Sequence, residues 1–346
     1  MKKLFLSLVA LTMATMSYAQ SSVLATLSHD GEISTYYGIG AYKEAMDVAT
    51  DGDIITLSSG TFTAIDITKA VTIRGAGMAI DTIARTFPTI ISGDFTISIP
   101  ESATERLTIE GVYSDQEITV DGVLKDAAFL KDRFGRFSYK DVQTTRMQNL
   151  TFIHCRISQG LYIPYYYSSA SCINSYIGKD LGIGELYYYY STTSYYELTN
   201  CVIRIKYKNS LNSICNSRYQ NCIIIDNSDS SFIPSSSTAY YCVGMRSNES
   251  NMFCNQTNNT NWNLGNDFTN LFKTYTGEYN DDETFELTDE AIEKYLGSDG
   301  KQVGMYGGDL PYNPRPTNPQ ITKCIVASKS TPDGKLSVDI EVSAAE

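Results

Sequence analysis

Apolar positions change period early in this chain. Ala41-Tyr42, Ala45-Met46 and Ala49 recur every three or four residues, with Lys43, Glu44 and Asp47 between them. That spacing gathers the apolar side chains on one face of a short amphipathic helix. The residues before Gly40 read as a polar stretch. Asp51-Gly52-Asp53 stops the helix, and short runs rich in β-branched residues follow: Ile54–Leu57, Thr61–Thr63, Ile65–Ile67, Val71–Ile73, Thr89–Ile91, Phe95–Ile99, Leu107–Ile109 and Ile118–Val120. Gly or Ser punctuates them, and no second helical pattern intervenes, so the body is predicted to be all-β.

In the middle of the chain four segments superpose: His154-Cys155-Arg156-Ile157, Asn174-Ser175-Tyr176-Ile177, Asn200-Cys201-Val202-Ile203 and Asn221-Cys222-Ile223-Ile224. A unit recurring every twenty or so residues implies a solenoid, and the leucine-rich signature that shares this period is missing. Side chains alternate along a strand. If Cys201, Ile203 and Ile205 face inward, Val202, Arg204 and Lys206 face out, and the same parity sends Cys155, Ile157, Ser175, Ile177, Cys222 and Ile224 inside. The Asn before each pair, with His154 in one copy, is predicted to occupy a left-handed turn and to bond the copy above it. Dividing the body by the repeat predicts ten to twelve coils.

Beyond Gly300 the texture changes. "GKQVGMYGGDLPYNPRPTNP" is dense in Gly and Pro and reads as closure of the last coil followed by a linker. Ile321–Ala327 and Leu336–Val342 then flank "SKSTPDGK" as a strand-turn-strand, expected to cap the open end of the solenoid because a two-stranded hairpin is not stable alone.

The helix, "DGDIITLSSGTFT", "ITKAVTIRGAG" and the "NCVI"/"NCII" repeats together resemble the pectin-lyase-like superfamily of secreted β-helix proteins over roughly residues 41 to 310. The resemblance implies a right-handed parallel β-helix with an N-terminal capping helix and a C-terminal β-hairpin. It leaves the activity open, because that superfamily spans lyases, hydrolases, esterases, adhesins and inert scaffolds. The expected organisation is a signal peptide over 1–19, the β-helix domain over 20–310 and a Pro-rich linker with hairpin over 311–346.

Composition narrows the partners. Lys2-Lys3, the apolar run to Met16 and Ser17-Tyr18-Ala19 read as a secretory signal cut after Ala19, which places the mature chain in the periplasm, outside the cell or at its surface. That run is too short to span a membrane. A net charge of −12 disfavours nucleic acid. All eight Cys lie at residue 155 or beyond. With no C-x-x-C among them they read as an inward thiol stack, with Cys242–Cys254 as a disulfide alternative. No metal or cofactor is expected, and a monomer is.

Catalytic sets are incomplete. A uronate lyase would resemble its relatives in stacking acidic residues around calcium, yet Asp115, Asp121, Asp126, Asp132, Asp180 and Asp226 show no stacked pattern. A galacturonan hydrolase would resemble a set of Asp pairs with Gly-His-Gly and Arg-Ile-Lys, of which only Arg204-Ile205-Lys206 is present; glycosidic cleavage needs two facing carboxyls. Two features point to binding instead. The 26 tyrosines cluster in runs, and Tyr166, Tyr188 and Tyr196 are the candidate faces for sugar rings. Lys131, Arg133 and Arg136, interleaved with Phe129, Phe134 and Phe137, form a basic-aromatic segment that either holds an acidic sugar or is an excursion loop pinned by its aromatics. The sequence therefore reads as an exported, non-catalytic protein that contacts a glycan through a Tyr-rich flank. A polysaccharide lyase or glycoside hydrolase and a purely structural or adhesive protein are the alternatives.

Overall fold

In the computed structural model the described residues are 23–82, 86–179, 181–183, 193–206, 216–228, 232–246, 251–257, 260–265, 267–278, 280, 283–317, 319–326, 329–330 and 333–343. Residues 1–19, where a signal peptide is expected, and Tyr188 lie outside them, as does Cys215. The chain forms a parallel β-solenoid of about nine turns, nearly all-β. One sheet carries eleven strands and another twelve, with Val123–Lys125 and Arg146–Gln148 pairing as a short third wall.

The polar stretch before Gly40 is ordered after all. It forms β1 (Leu24–His29) and β2 (Glu32–Tyr37), an antiparallel hairpin that adds to β3 (Ile54–Leu57), the first strand of the eleven-stranded sheet. Burial alternates along β1, with Ala25 and Leu27 in the core, but the apolar residues Leu24, Ala25 and Leu27 do not alternate in sequence, which is why the segment gave no strand signal. Helix α1 (Ala41–Val48) follows, and its Ala41, Tyr42, Ala45 and Met46 are buried in the main core. The expected helix thus covers apolar side chains that no earlier coil is present to bury.

Each later coil passes from the first sheet to the second through a single left-handed residue. Lys131, His154, Asn174, Asn200, Asn221 and Tyr241 hold φ between 46° and 56°. The residue after each points inward, and Cys155, Ser175, Cys201, Cys222 and Cys242 are fully buried, as are Ile157, Ile177, Ile203 and Ile224 further along the strands. The predicted parity holds. The thiols donate to backbone carbonyls, Cys201 Sγ to Cys172 O at 3.2 Å and Cys222 Sγ to Leu198 O at 3.3 Å. The Cys242–Cys254 disulfide alternative does not hold: both are free, Cys242 inside and Cys254 exposed.

Coil number falls short of ten to twelve because the parallel register stops at Leu264. The chain then turns back along the outside. Phe268, Phe272, Tyr275 and Phe285 pack on Tyr176, Val202, Ile223 and Val243, which point outward from the second sheet yet are fully buried. The Gly- and Pro-rich stretch is not a linker but a strap laid over the left-handed turns. Asn174 Nδ2 donates to Met305 O at 2.9 Å and Gly307 O at 2.7 Å, and Asn221 Oδ1 accepts from Ser298 N at 2.9 Å. The Asn amides thus serve the strap rather than one another. Contact this close requires glycine: a Cβ on Gly308, at φ +76°, would lie 2.2 Å from Asn200 Nδ2.

The strap carries the chain back towards its beginning, where Glu110 Oε1 accepts from Thr317 N at 2.7 Å. The hairpin that follows, Gln320–Val326 with Val338–Ser343, consequently does not cap the far end of the solenoid, and its Val338, Ile340 and Val342 are exposed. Ile233, Met252 and Phe253 fill the core at that end instead.

Candidate functional site

The tyrosine runs divide by parity. Tyr196 is not a sugar platform: it is 0 % exposed, and its hydroxyl donates to Leu161 O at 3.0 Å and Gly182 O at 2.6 Å. Strand alternation turns its neighbour Tyr195 outward and buries Tyr196, as it buries Tyr219 one coil on. Tyr166 sits at the surface beside Tyr165, ring centroids 4.0 Å apart, with the Arg146 guanidinium 5.9 Å from its ring. The structure therefore keeps Tyr166 accessible and withdraws Tyr196.

The basic-aromatic segment is no excursion loop. Arg133–Tyr139 is a strand of the solenoid, and Phe129, Phe134 and Phe137 cluster inside it with Phe152. Lys131 is also withdrawn from the surface. It is the left-handed residue of its turn, 8 % exposed, and burial lowers its pKa while the nearby Glu110 carboxylate opposes that shift. Next to it Asp132 takes the inward place that Cys and Ser take in later coils. Its carboxylate accepts from Val112 N at 2.8 Å and Leu130 N at 3.1 Å, and complete burial pushes its pKa well above the usual carboxylate range.

Arg133 and Arg136 remain outside, on the outer face of the second sheet. Arg133 lies over the Tyr113 ring at 4.7 Å; Arg136 lies over Tyr162 at 4.6 Å, with its Nε 3.3 Å from Glu117 Oε1. Arg133 opens onto a cleft of about 420 Å³ lined also by Tyr113, Asp115, Gln116, Phe134, Ser158, Gln159, Lys179, Arg204 and Lys206. Five successive coils contribute. A register shift between Phe134 and Arg136 shapes one wall, and Gly135 is required there because a Cβ would lie 2.1 Å from Asp115 O. The returning segment marks the other boundary, where Arg204 Nε donates to the Tyr275 hydroxyl at 3.1 Å.

Among the described residues that line this cleft there are four cations, Arg133, Lys179, Arg204 and Lys206, and one carboxylate, Asp115, in a chain of net charge −12. The sign of these described side chains is opposite to that of the chain as a whole, and a cluster of one sign favours ligands of the other. Sequence parity had turned Arg204 and Lys206 outward. What it lacked was the register that places them along one cleft with Arg133, three strands away, and Lys179 was overlooked because it follows a strand of only two residues, Tyr176–Ile177. Among the described residues no group of three or more His, Cys, Asp or Glu is placed to hold a metal ion.

The two histidines titrate in opposite directions. A hydrogen bond from His29 to Asp53, 2.9 Å, and the charge of that carboxylate raise His29 above the ordinary 6.5. His154, with Nε2 3.0 Å from Leu310 O under the strap, is lowered below 6.5, by burial first and by Lys131 in addition. His29 therefore contributes stability that is present below about pH 6.5 and lost as pH rises through its folded value; His154 contributes stability that is present above about pH 6.5 and lost as pH falls. Imidazole NMR titration of the folded chain is expected to show two curves, one on each side of 6.5. Coincident midpoints would contradict both assignments.

Comparison with known proteins returns no matching family model, curated protein or solved structure.

Proposed function

We propose that this chain is an exported, non-catalytic carbohydrate-binding protein of the pectin-lyase-like kind, and that it holds an acidic glycan in the cleft between Tyr113 and Lys206. The observation that carries the reading is the concentration of four cations, with the Tyr113 ring beside them, among the described residues of one cleft in a chain of net charge −12. Binding needs only stacking surface and a few well-placed polar groups. Cleavage of a glycosidic bond needs two facing carboxyls, and among the described residues that line this cleft Asp115 is the one carboxylate. The site thus moves from the Tyr-rich flank, where Tyr196 and Tyr219 are core residues, to the basic cleft; the flank's buried rings favour a structural role for that wall. Export rests on the signal-like pattern of residues 1–19.

Calorimetric titration with acidic oligosaccharides tests the proposal. Lys179→Gln and Lys206→Gln are each expected to weaken binding roughly tenfold, since a hydrogen bond to a charged group contributes about 1.5–3 kcal/mol, with the melting temperature unchanged. Retained affinity in the double variant would remove the cleft from consideration. Unsaturated product released from uronate polymers, with or without calcium, would establish the lyase alternative instead.

A further inference from the structure

The two ends of the eleven-stranded sheet are finished differently. At the far end, strand Thr238–Tyr240 has its free edge met by side chains: Gln256 Oε1 accepts from Ala239 N at 3.1 Å, Asn261 Nδ2 donates to Ala239 O at 2.9 Å, and Thr260 Oγ1 accepts from Tyr241 N at 3.3 Å. At the near end lies β2, and among the described residues nothing pairs with its outer edge. It has none of the features that usually protect an edge: no Pro, no Lys, no bulge in its pairing with β1, and a single charge, Glu32, at its start. Ile33 and Tyr37 are 72 % and 67 % exposed.

We propose that β2 pairs with β2 of a second copy of this chain, antiparallel about a two-fold axis at Thr35, joining the two eleven-stranded sheets into one. Three observations converge on this arrangement. First, the backbone phase is set: Gly38 N donates to Val23 O at 2.7 Å, so in the antiparallel alternation Gly38, Tyr36, Ser34 and Glu32 turn their backbone groups to β1. Ile33, Thr35 and Tyr37 turn theirs outward. Second, a two-fold axis normal to the sheet keeps each face aligned with itself, and centring it on Thr35 sets Ile33 opposite the second copy's Tyr37. The same three residues that offer the free amides and carbonyls thus bring the exposed apolar side chains into cross-strand pairs. Glu32 meets no like charge in this register. Third, head-to-tail continuation of the eleven-stranded sheet is disfavoured, because its far edge is already met by Gln256, Thr260 and Asn261. A self-complementary contact closes as a dimer, whereas a head-to-tail one would grow.

Sedimentation velocity and light scattering of the purified full chain test the inference, with a species of twice the 38.4 kDa chain mass expected. Thr35→Pro removes one outward amide and leaves the β1 pairing intact, while Tyr37→Lys places a charge on the seam. Each is expected to raise the dimer dissociation constant at least about tenfold with the melting temperature of the solenoid retained. Register is read separately in a Cys254→Ser background. Thr35→Cys is expected to crosslink two copies on mild oxidation, because hydrogen-bonded antiparallel partners sit about 5.5 Å apart, within disulfide reach; Ser34→Cys, on the opposite face and off the axis, is expected to stay monomeric in the same gel. A monomer at every concentration, a dimer that survives both edge variants, or crosslinking through Ser34→Cys in preference to Thr35→Cys overturns the proposal.

Discussion

Phe129→Ala is expected to lower the free energy of unfolding by about 3–5 kcal/mol, the range for truncating a buried aromatic ring. Phe129 is fully buried at the centre of a four-ring cluster. It stacks on Phe152 at 4.8 Å with 12° between planes, and meets Phe137 edge-on at 4.9 Å and Phe134 at 5.8 Å. The stacked pair is register-matched across neighbouring strands, so truncation leaves a cavity between coils that the rigid ladder prevents from closing, and forfeits about 0.5–1.5 kcal/mol per aromatic pair besides. Phe129→Leu retains most of the volume and is expected to lose clearly less. Urea denaturation followed by circular dichroism measures both. A loss under about 1 kcal/mol for Phe129→Ala would mean that the coil can collapse around the gap, and that this cluster is not the anchor of the central coils.

Those rings also mark where the sequence could and could not be read. Parity along each strand was legible because a one-residue slip would move every apolar side chain to solvent; hence Cys155, Ile177, Ile203 and Ile224 were placed inside from sequence alone. The same rule, carried into the tyrosine runs, would have buried Tyr196, as the paired Tyr195-Tyr196 predicts for a strand with one face inward. "FLKDRFGRFSYK" was ambiguous because its bulge at Gly135 interrupts strict alternation, so a strand of the solenoid looked like an aromatic-pinned loop. Long-range returns were not legible at all. Gly304, Gly307 and Gly308 signal a backbone that must approach something closely, but nothing local says that the something is the row of Asn174, Asn200 and Asn221. Outward-facing Val202, Ile223 and Val243 carried the complementary clue: apolar residues on an outer face need a cover, and the chain beyond Leu264 provides it.

Asp226→Ala is expected to cost about 3–5 kcal/mol, because it leaves Arg246 buried without its carboxylate. The two residues are register partners on adjacent strands, their side chains are each 0 % exposed, and Arg246 Nη2 lies 2.9 Å from Asp226 Oδ2. Asp226 shares the inward parity of Ile224, so the pair stands where the repeat would otherwise place an apolar residue. Ser228 completes the carboxylate, with N at 2.9 Å and Oγ at 2.6 Å from Oδ1, and the guanidinium lies 4.9 Å from the Phe232 ring. Desolvating both ions offsets most of their mutual attraction, so the pair as a whole contributes little net stability even though either half alone is costly. The double variant Asp226→Leu with Arg246→Met is accordingly expected to recover most of what Asp226→Ala loses, giving a coupling of several kcal/mol in a double-mutant cycle. Additive losses would show that the two charges are satisfied independently by other partners, Ser228 and the Phe232 ring among them, and that the ion pair is not what holds these last coils in register.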